Sequence, residues 1–81
     1  MSEYHKKDFE YYLKRECAMS PNTVASYISD LTAFFSAVGK EPKDVVPEDI
    51  ISYFAETTAL SKRSQARVLS SLHSFYKWMI M

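Results

Sequence analysis

The sequence predicts an all-α fold, a bundle of four helices, and three observations favour it. Apolar residues recur at the three-to-four spacing of amphipathic helices in four separate segments. The 81 residues include one glycine and three prolines, too few for the turns of a sandwich or barrel. The apolar fraction of 47% suffices for one packed core and excludes a disordered tail. We therefore expect a single domain spanning residues 1–81.

The first two helices are predicted from periodicity and from the residues that bound them. The first runs from about Glu3 to Cys17, and its narrow apolar stripe places it at the edge of the bundle. The second has Ser20 as N-cap, Pro21 at its first position and Gly39 as the left-handed residue that ends it. Its expected core residues are Val24, Tyr27, Ile28, Leu31, Phe34, Phe35 and Val38.

The opposite face of the second helix consists of small side chains. They are Ala25, Ser26, Ser29, Ala33, Ser36 and Ala37. A ligand could approach the helix backbone closely along such a face. An exposed helix surface that happens to carry small residues explains the same pattern, so both interpretations stay open at this point.

The third and fourth helices follow a polar connector from Lys40 to Val46. Pro47 starts the short third helix, and Ser61 caps the fourth. The fourth helix shows no stop signal before Met81, which suggests a chain cut before a following segment. The expected core residues are Ile50, Ile51, Phe54 and Ala55 in the third helix and Val68, Leu69, Leu72, Phe75, Tyr76 and Met79 in the fourth.

Charge is unevenly distributed although the formal net charge is zero: residues 61–81 hold four cations and no anion. At about 100° per residue, these cations and several hydroxyls fall opposite the core face of the fourth helix, the central ones within about 60°. This basic stripe consists of Arg63, Arg67, Ser70 and Ser74, with Lys62, Ser71 and Lys77 at its margins. Such a stripe is typical of a surface that contacts phosphates. A solvated helix face explains the same charges.

Motifs of the common enzyme classes are missing from the sequence. It has no glycine-rich phosphate loop, His-Glu-x-x-His, Cys-x-x-Cys or nucleophile elbow. Cys17 is the only cysteine and is expected to be a small core residue, whereas His5 is expected to be solvated and His73 half-buried. Asp30 is expected to serve as a local hydrogen-bond or ion-pair partner. We predict no catalytic residue, no metal, no cofactor and no small-molecule substrate.

The sequence also lacks the signals that direct a chain to a membrane. The N-terminus has no apolar stretch typical of a signal peptide, and no apolar run approaches the roughly 20 residues that span a bilayer. We therefore expect a cytoplasmic protein with no membrane partner.

Three segments resemble one known family, in order and in spacing. They are residues 20–34 (SPNTVASYISDLTAF), residues 44–50 (DVVPEDI) and residues 61–78 (SKRSQARVLSSLHSFYKW). Together they are similar to the N-terminal core-binding domain of tyrosine recombinases, the family of phage integrases and Xer-type recombinases. The resemblance covers nearly the whole chain.

The resemblance implies a SAM-like four-helix fold that forms half of a clamp around double-stranded DNA, with the second and fourth helices near the major groove. It implies DNA contacts by Thr23 and Ser26 on the second helix and by Arg63 and Arg67 on the fourth. His73 stands where many members carry arginine, so a contact there is expected to be weaker or pH-dependent. The family's catalytic residues lie in a separate C-terminal domain, which this sequence lacks.

The resemblance thus implies a fragment that does not cut DNA, from a parent recombinase that acts with other protomers on the DNA. Two other classes remain open from the residues alone. A helical protein-interaction module would use the aromatic and small faces. A free-standing helical DNA-binding regulator would need a short turn between two nearly perpendicular helices, and the connectors of roughly eight residues argue against that.

Overall fold

A computed structural model describes residues 3–57 and 59–80 of the chain. Four α-helices follow one another, α1 (Glu3–Arg15), α2 (Pro21–Val38), α3 (Pro47–Glu56) and α4 (Lys62–Met79), with a 3₁₀ turn at Pro42–Asp44 between α2 and α3. These described residues contain no strand. The predicted all-α bundle of four helices is confirmed.

Short polar side chains fix where α2 and α4 begin. The Ser20 hydroxyl accepts a hydrogen bond from the Thr23 backbone N–H at 3.3 Å, and the Ser61 hydroxyl accepts one from the Ser64 N–H at 3.1 Å. Each bond satisfies a donor that the first turn of a helix leaves free. Gly39, at φ +70°, ends α2 in the left-handed conformation. All three predicted boundary residues are confirmed.

The end of α1 was predicted less well, because no glycine marks it. The helix stops at Arg15, before the expected Cys17. Ala18 adopts φ +50°, and the Met19 N–H donates to the Leu13 carbonyl at 3.2 Å across the turn. This is the geometry of a helix C-cap in which alanine occupies the position that glycine usually takes. Cys17 lies in this turn and is exposed, so its expected place in the core is wrong.

The core lies where α1, α2 and α4 meet. Its buried apolar residues are Phe9, Leu13, Val24, Ile28, Leu31, Phe34, Phe35, Val68, Leu72 and Phe75. Phe9 packs edge-on against Phe75, with 5.3 Å between ring centroids. The prediction that α1 sits at the edge of the bundle is therefore wrong, because its narrow stripe enters the centre of the core.

The third helix covers one side of this core without entering it. Ile50, Tyr53 and Phe54 are half-buried against the core cluster. Ile51 is 67% exposed and Ala55 is also exposed, because both lie on the outer face of α3. Leu69 is 48% exposed, since α3 packs mainly against α2 and leaves this side of α4 partly uncovered. Met79 is likewise exposed near the end of α4. The burial predicted from the sequence is therefore wrong for Ile51, Ala55, Leu69 and Met79.

The connector between α2 and α3 is more ordered than its polar sequence indicates. Pro42 is buried, and the Tyr76 hydroxyl donates to its carbonyl oxygen at 2.6 Å. Asp49 accepts the Val46 backbone N–H at 3.0 Å and the Lys40 ammonium at 3.0 Å. These two hydrogen bonds lower the pKa of Asp49, the backbone bond being the larger cause. The connector is thus attached to both α3 and α4.

Candidate nucleic-acid interface

The N-terminal turns of α2 and α4 border a single groove of about 390 Å³, here called the α2/α4 groove. Its lining residues are Asn22, Thr23, Ser26, Arg63, Ser64 and Arg67. Four of these are polar and uncharged, and two are arginines. Both helices also direct their positive dipole ends toward this region, which favours anions. The groove therefore has the electrostatic character of a phosphate-binding surface.

Thr23 owes its position to the cap of α2. Its hydroxyl lies 2.9 Å from the Ser20 hydroxyl, and its backbone N–H bonds to the same oxygen. Ser26 lies nearly one turn further along α2 and is half-buried. Both side chains are short, so a partner at the groove can come close to the helix backbone here.

Arg67 is held from the side of α2 by Asp30. The Arg67 Nε donates to Asp30 Oδ2 at 2.7 Å, and Nη2 donates to Oδ1 at 3.1 Å. The hydrogen bond and the negative charge of Asp30 raise the pKa of Arg67 above its ordinary value, so the guanidinium stays charged at every practical pH. Asp30 therefore serves as an ion-pair partner, as predicted, but its partner lies 37 positions away on another helix and is not a local one.

Arg63 and Lys62 differ from Arg67 in having no such partner. Both side chains are exposed, and within residues 3–57 and 59–80 neither takes part in an ion pair or a side-chain hydrogen bond. Arg63 lines the α2/α4 groove, one turn before Arg67, whereas Lys62 lies outside it. Arg63 therefore presents an uncompensated cation at the groove.

Ser70, Ser74 and Lys77 continue the basic stripe along α4, outside the α2/α4 groove. Ser70 and Lys77 are exposed, and Ser74 is half-buried. Lys77 borders a different, largely apolar groove between α3 and α4. The structure thus brings together four of the nine residues singled out from the sequence, Thr23, Ser26, Arg63 and Arg67. The other five lie along α4 outside this groove: Lys62, Ser70, Ser71, Ser74 and Lys77.

Ser71 requires a correction. Its side chain is completely buried, and its hydroxyl donates to the Arg67 backbone carbonyl at 2.9 Å. Ser71 lies about 80° around α4 from Arg63, at the margin where the helix surface turns into the core. A buried hydroxyl already bonded to its own helix does not face a partner, so Ser71 is no longer included among the candidate contacts.

Sequence reasoning missed Asn22 and Ser64 as groove residues, although a signal for them existed. Each belongs to the first turn of a helix whose N-cap was recognised, the Ser20 cap for Asn22 and the Ser61 cap for Ser64. Once the two caps are placed side by side, the first turns must line the space between them. That juxtaposition is a property of the packed bundle and has no signature in the sequence.

The small face of α2 has a divided role. Ser26 lines the α2/α4 groove. Four other residues of this face line a separate groove of about 670 Å³ between α1 and α2: Ala25, Ser29, Ala33 and Ser36. On the α1 side, this groove is lined by Lys6, Glu10 and Lys14. Of the small face, only Ser26 therefore lines the candidate interface.

The described residues contain neither a cluster of metal-ligating side chains nor a membrane-spanning helix. No group of three or more histidine, cysteine, aspartate or glutamate side chains is placed to hold a metal ion there. None of the helices in this part of the chain is both long enough and apolar enough to cross a bilayer.

Comparison with known proteins identifies the family of this four-helix domain. Residues 7–81 match the family model described as phage integrase, N-terminal SAM-like domain. The chain belongs to this family. The SAM-like fold expected from the resemblance is thereby confirmed, and the α2/α4 groove is a feature of a phage integrase SAM-like domain.

Curated relatives of this SAM-like domain are Xer recombinases. It is 46% identical over 77 residues to tyrosine recombinase XerC of Leptospira interrogans serogroup Icterohaemorrhagiae serovar copenhageni, an alignment that covers 88% of this chain and 25% of the relative. It is 37% identical over 78 residues to XerC of Lacticaseibacillus casei, with 88% and 26% covered. It is 36% identical over 81 residues to XerD of Listeria monocytogenes serovar 1/2a, with 91% and 27% covered.

The chain therefore spans about a quarter of the length of the curated relatives it matches. No solved structure matches it significantly.

Proposed function

We propose that this SAM-like domain binds double-stranded DNA through α2 and α4 and serves as the duplex-gripping part of a site-specific tyrosine recombinase. The observation that carries the proposal is the α2/α4 groove, in which Arg63 and Arg67 lie beside Thr23 and Ser26. Family membership supports it, since the curated relatives are named tyrosine recombinases.

The residue types at this surface suit a duplex. Arginine can donate two parallel hydrogen bonds to the O6 and N7 atoms of guanine in the major groove. Hydroxyls and lysines contact phosphates, which set the register of the protein on the DNA. In this proposal Arg63 and Arg67 reach the major groove of the DNA, and Thr23 and Ser26 contact the nearer phosphate backbone. The rest of the basic stripe follows the duplex. The residues that extend the surface are Lys62, Ser70, Ser74 and Lys77.

The cleavage and rejoining of DNA strands belong, in this proposal, to a separate catalytic domain of a longer parent protein. The chain spans only about a quarter of its relatives, which supports such a division. Other recombinase protomers on the same DNA would be its protein partners, and the cytoplasm its location. A single domain of a clamp lacks the avidity that a linked second domain supplies, so we expect weak binding by this domain alone.

A fluorescence anisotropy titration tests the proposal. The probe is a labelled duplex chosen from a random-sequence pool by repeated rounds of binding to the domain. The variant carries Arg63→Ala and Arg67→Ala, and we expect its affinity to fall about ten- to a hundredfold. The control is Lys43→Ala, which removes one exposed cation beside Met79, at the opposite end of α4 from Arg63.

Salt provides a second measure in the same titration. If about five phosphates are contacted, affinity should fall by about two to three orders of magnitude between about 50 and 200 mM salt. The slope of log affinity against log salt should be shallower in the double arginine variant, by about one for each arginine that contacts a phosphate. Unchanged affinity in that variant, or binding that ignores salt, would contradict the proposal.

One observation favours a second function, the helical protein-interaction module. A largely apolar groove of about 620 Å³ lies between α3 and α4. Leu69, which lines it, is 48% exposed, and Ile80 at its end is 85% exposed. Exposed apolar side chains that share one groove are typical of protein contacts. This groove and the α2/α4 groove are lined by different residues, so an experiment can separate the two functions.

A further inference from the structure

We propose that Asp30 is a positioning residue for DNA recognition: it holds one edge of the Arg67 guanidinium so that the remaining edge faces the duplex. The inference rests on the proposed DNA-binding function and names a determinant of its specificity. Asp30 itself carries a negative charge and is not one of the groove-lining residues. It acts on DNA only through Arg67.

The geometry of the pair supports this role. Two parallel hydrogen bonds, of 2.7 Å from Nε and 3.1 Å from Nη2, fix both the position and the plane of the guanidinium. A guanidinium has five N–H donors, so about three, including both on Nη1, remain for another ligand. The free donors lie on the edge that Asp30 does not occupy.

The Arg67 guanidinium is more exposed to solvent than the Asp30 carboxylate behind it. The Asp30 side chain is 13% exposed, and the Arg67 side chain is 47% exposed. A phosphate or base edge that approaches the groove therefore meets the guanidinium before the carboxylate. The carboxylate would repel DNA if it stood alone, but its charge is already compensated by the arginine in front of it.

The rigidity of the support distinguishes Asp30 from a chance ion-pair partner. Asp30 lies between Ser29 and the fully buried Leu31 in the middle of α2, so core packing fixes its backbone. A free arginine side chain samples many rotamers and can follow whichever phosphate is nearest. An arginine held by a fixed carboxylate offers its donors in one direction, which favours one base-pair arrangement over others.

The effect of removing Asp30 follows from this difference. In Asp30→Asn, Arg67 loses its charged anchor and one nearby negative charge disappears. Affinity for an arbitrary duplex should then rise, and the salt slope should steepen by about one, because the freed cation can displace a counterion of its own. Discrimination between sequences should fall, since the orientation of Arg67 is no longer defined.

The experiment measures affinity for two duplexes, the one selected from the random pool and a shuffled duplex of equal composition. We expect Asp30→Asn to lower the ratio of the two affinities about tenfold. In the Arg67→Ala background the same substitution should leave the ratio unchanged, because no arginine remains to be positioned. A thermal unfolding curve for each variant detects any general loss of structure, which would weaken binding to both duplexes equally.

The outcomes separate this inference from the proposed function. Wild-type protein that binds neither duplex overturns both. Salt-dependent wild-type binding with an unchanged ratio in Asp30→Asn overturns only the role of Asp30. Equal wild-type affinity for both duplexes also overturns that role, since a positioned arginine would then select nothing. An equal fall in the ratio with and without Arg67 would mean that Asp30 acts by another route.

Discussion

At the scale of single residues, Tyr76 shows how one hydroxyl attaches a loop to the bundle. Its hydrogen bond to the Pro42 carbonyl, 2.6 Å long, joins α4 to the connector before α3. Tyr76→Phe removes the donor and leaves the carbonyl of the buried Pro42 without this partner, so we expect the free energy of unfolding to fall by about 0.5 to 1.5 kcal/mol. Urea denaturation at neutral pH measures this change.

The same hydroxyl gives the comparison a pH dependence. Burial, with a smaller effect from the Asp49 charge, raises the pKa of Tyr76 from 10.0 to about 12. Below pH 10 the hydroxyl is neutral in the folded and unfolded chains, and its contribution is complete. As pH rises toward 12, the unfolded chain loses the proton first, so the contribution is lost. The advantage of the wild type over Tyr76→Phe should therefore shrink over this range; a constant difference would contradict the assignment.

Single residues also show where sequence reasoning stops. Arg63 and Arg67 were found from periodicity alone, because helical spacing determines which residues share a face. The ion pair of Arg67 with Asp30 joins residues 37 positions apart, so it depends on how α2 packs against α4. The predicted exposure of Ser71 is wrong for a related reason. The angular position of a residue around its helix does not tell how much of that helix surface the neighbouring helices cover.

At the scale of helices, the caps were predictable and the end of α1 was not. Serine caps, Pro21 and Gly39 act through local hydrogen bonds and backbone preferences that the sequence displays directly. The turn after α1 uses Ala18 in the left-handed region, where the sequence shows no glycine. The burial of α1 was also missed, because the width of an apolar stripe does not reveal how many partners surround it. Phe9 and Leu13 are only two residues, yet both are fully buried.

Ala18 leads to a prediction about the stability of this turn. An alanine held at φ +50° carries a steric cost of about 1 to 2 kcal/mol that glycine lacks, while glycine loses about 0.5 to 1 kcal/mol more conformational entropy on folding. We therefore expect Ala18→Gly to raise the free energy of unfolding by about 0.5 to 1 kcal/mol, measured by urea denaturation.

The matched control for Ala18→Gly is Ala33→Gly, an exposed position inside α2. There the backbone is helical, so glycine gains nothing from relief of strain and should destabilise the protein by about 0.5 to 1 kcal/mol. Opposite signs for the two substitutions support the assigned turn. Destabilisation by both would contradict it.

At the scale of the whole molecule, a net charge of zero conceals two different outer surfaces. The N-terminal turns of α2 and α4, which lie side by side, present arginines and hydroxyls. The α3/α4 groove presents exposed apolar groups instead. The sequence predicted the basic stripe and the family, but not that this second surface would stay uncovered. The reason is that α3 packs mainly against α2 and leaves the adjoining side of α4 exposed.

Chemical-shift mapping in solution can distinguish these two surfaces. We expect that adding the selected duplex to isotope-labelled domain will shift the amide resonances of residues 22–26 and 63–67, which border the α2/α4 groove, and leave Ile51 and Tyr53 on α3 nearly unchanged. The reason is that phosphates seek the cationic surface and gain nothing from exposed apolar side chains. Lys43→Ala should give the same map, because its cation lies at the far end of α4. Shifts centred on Leu69 and Ile80 instead would place the DNA contact in the α3/α4 groove and contradict binding through α2 and α4.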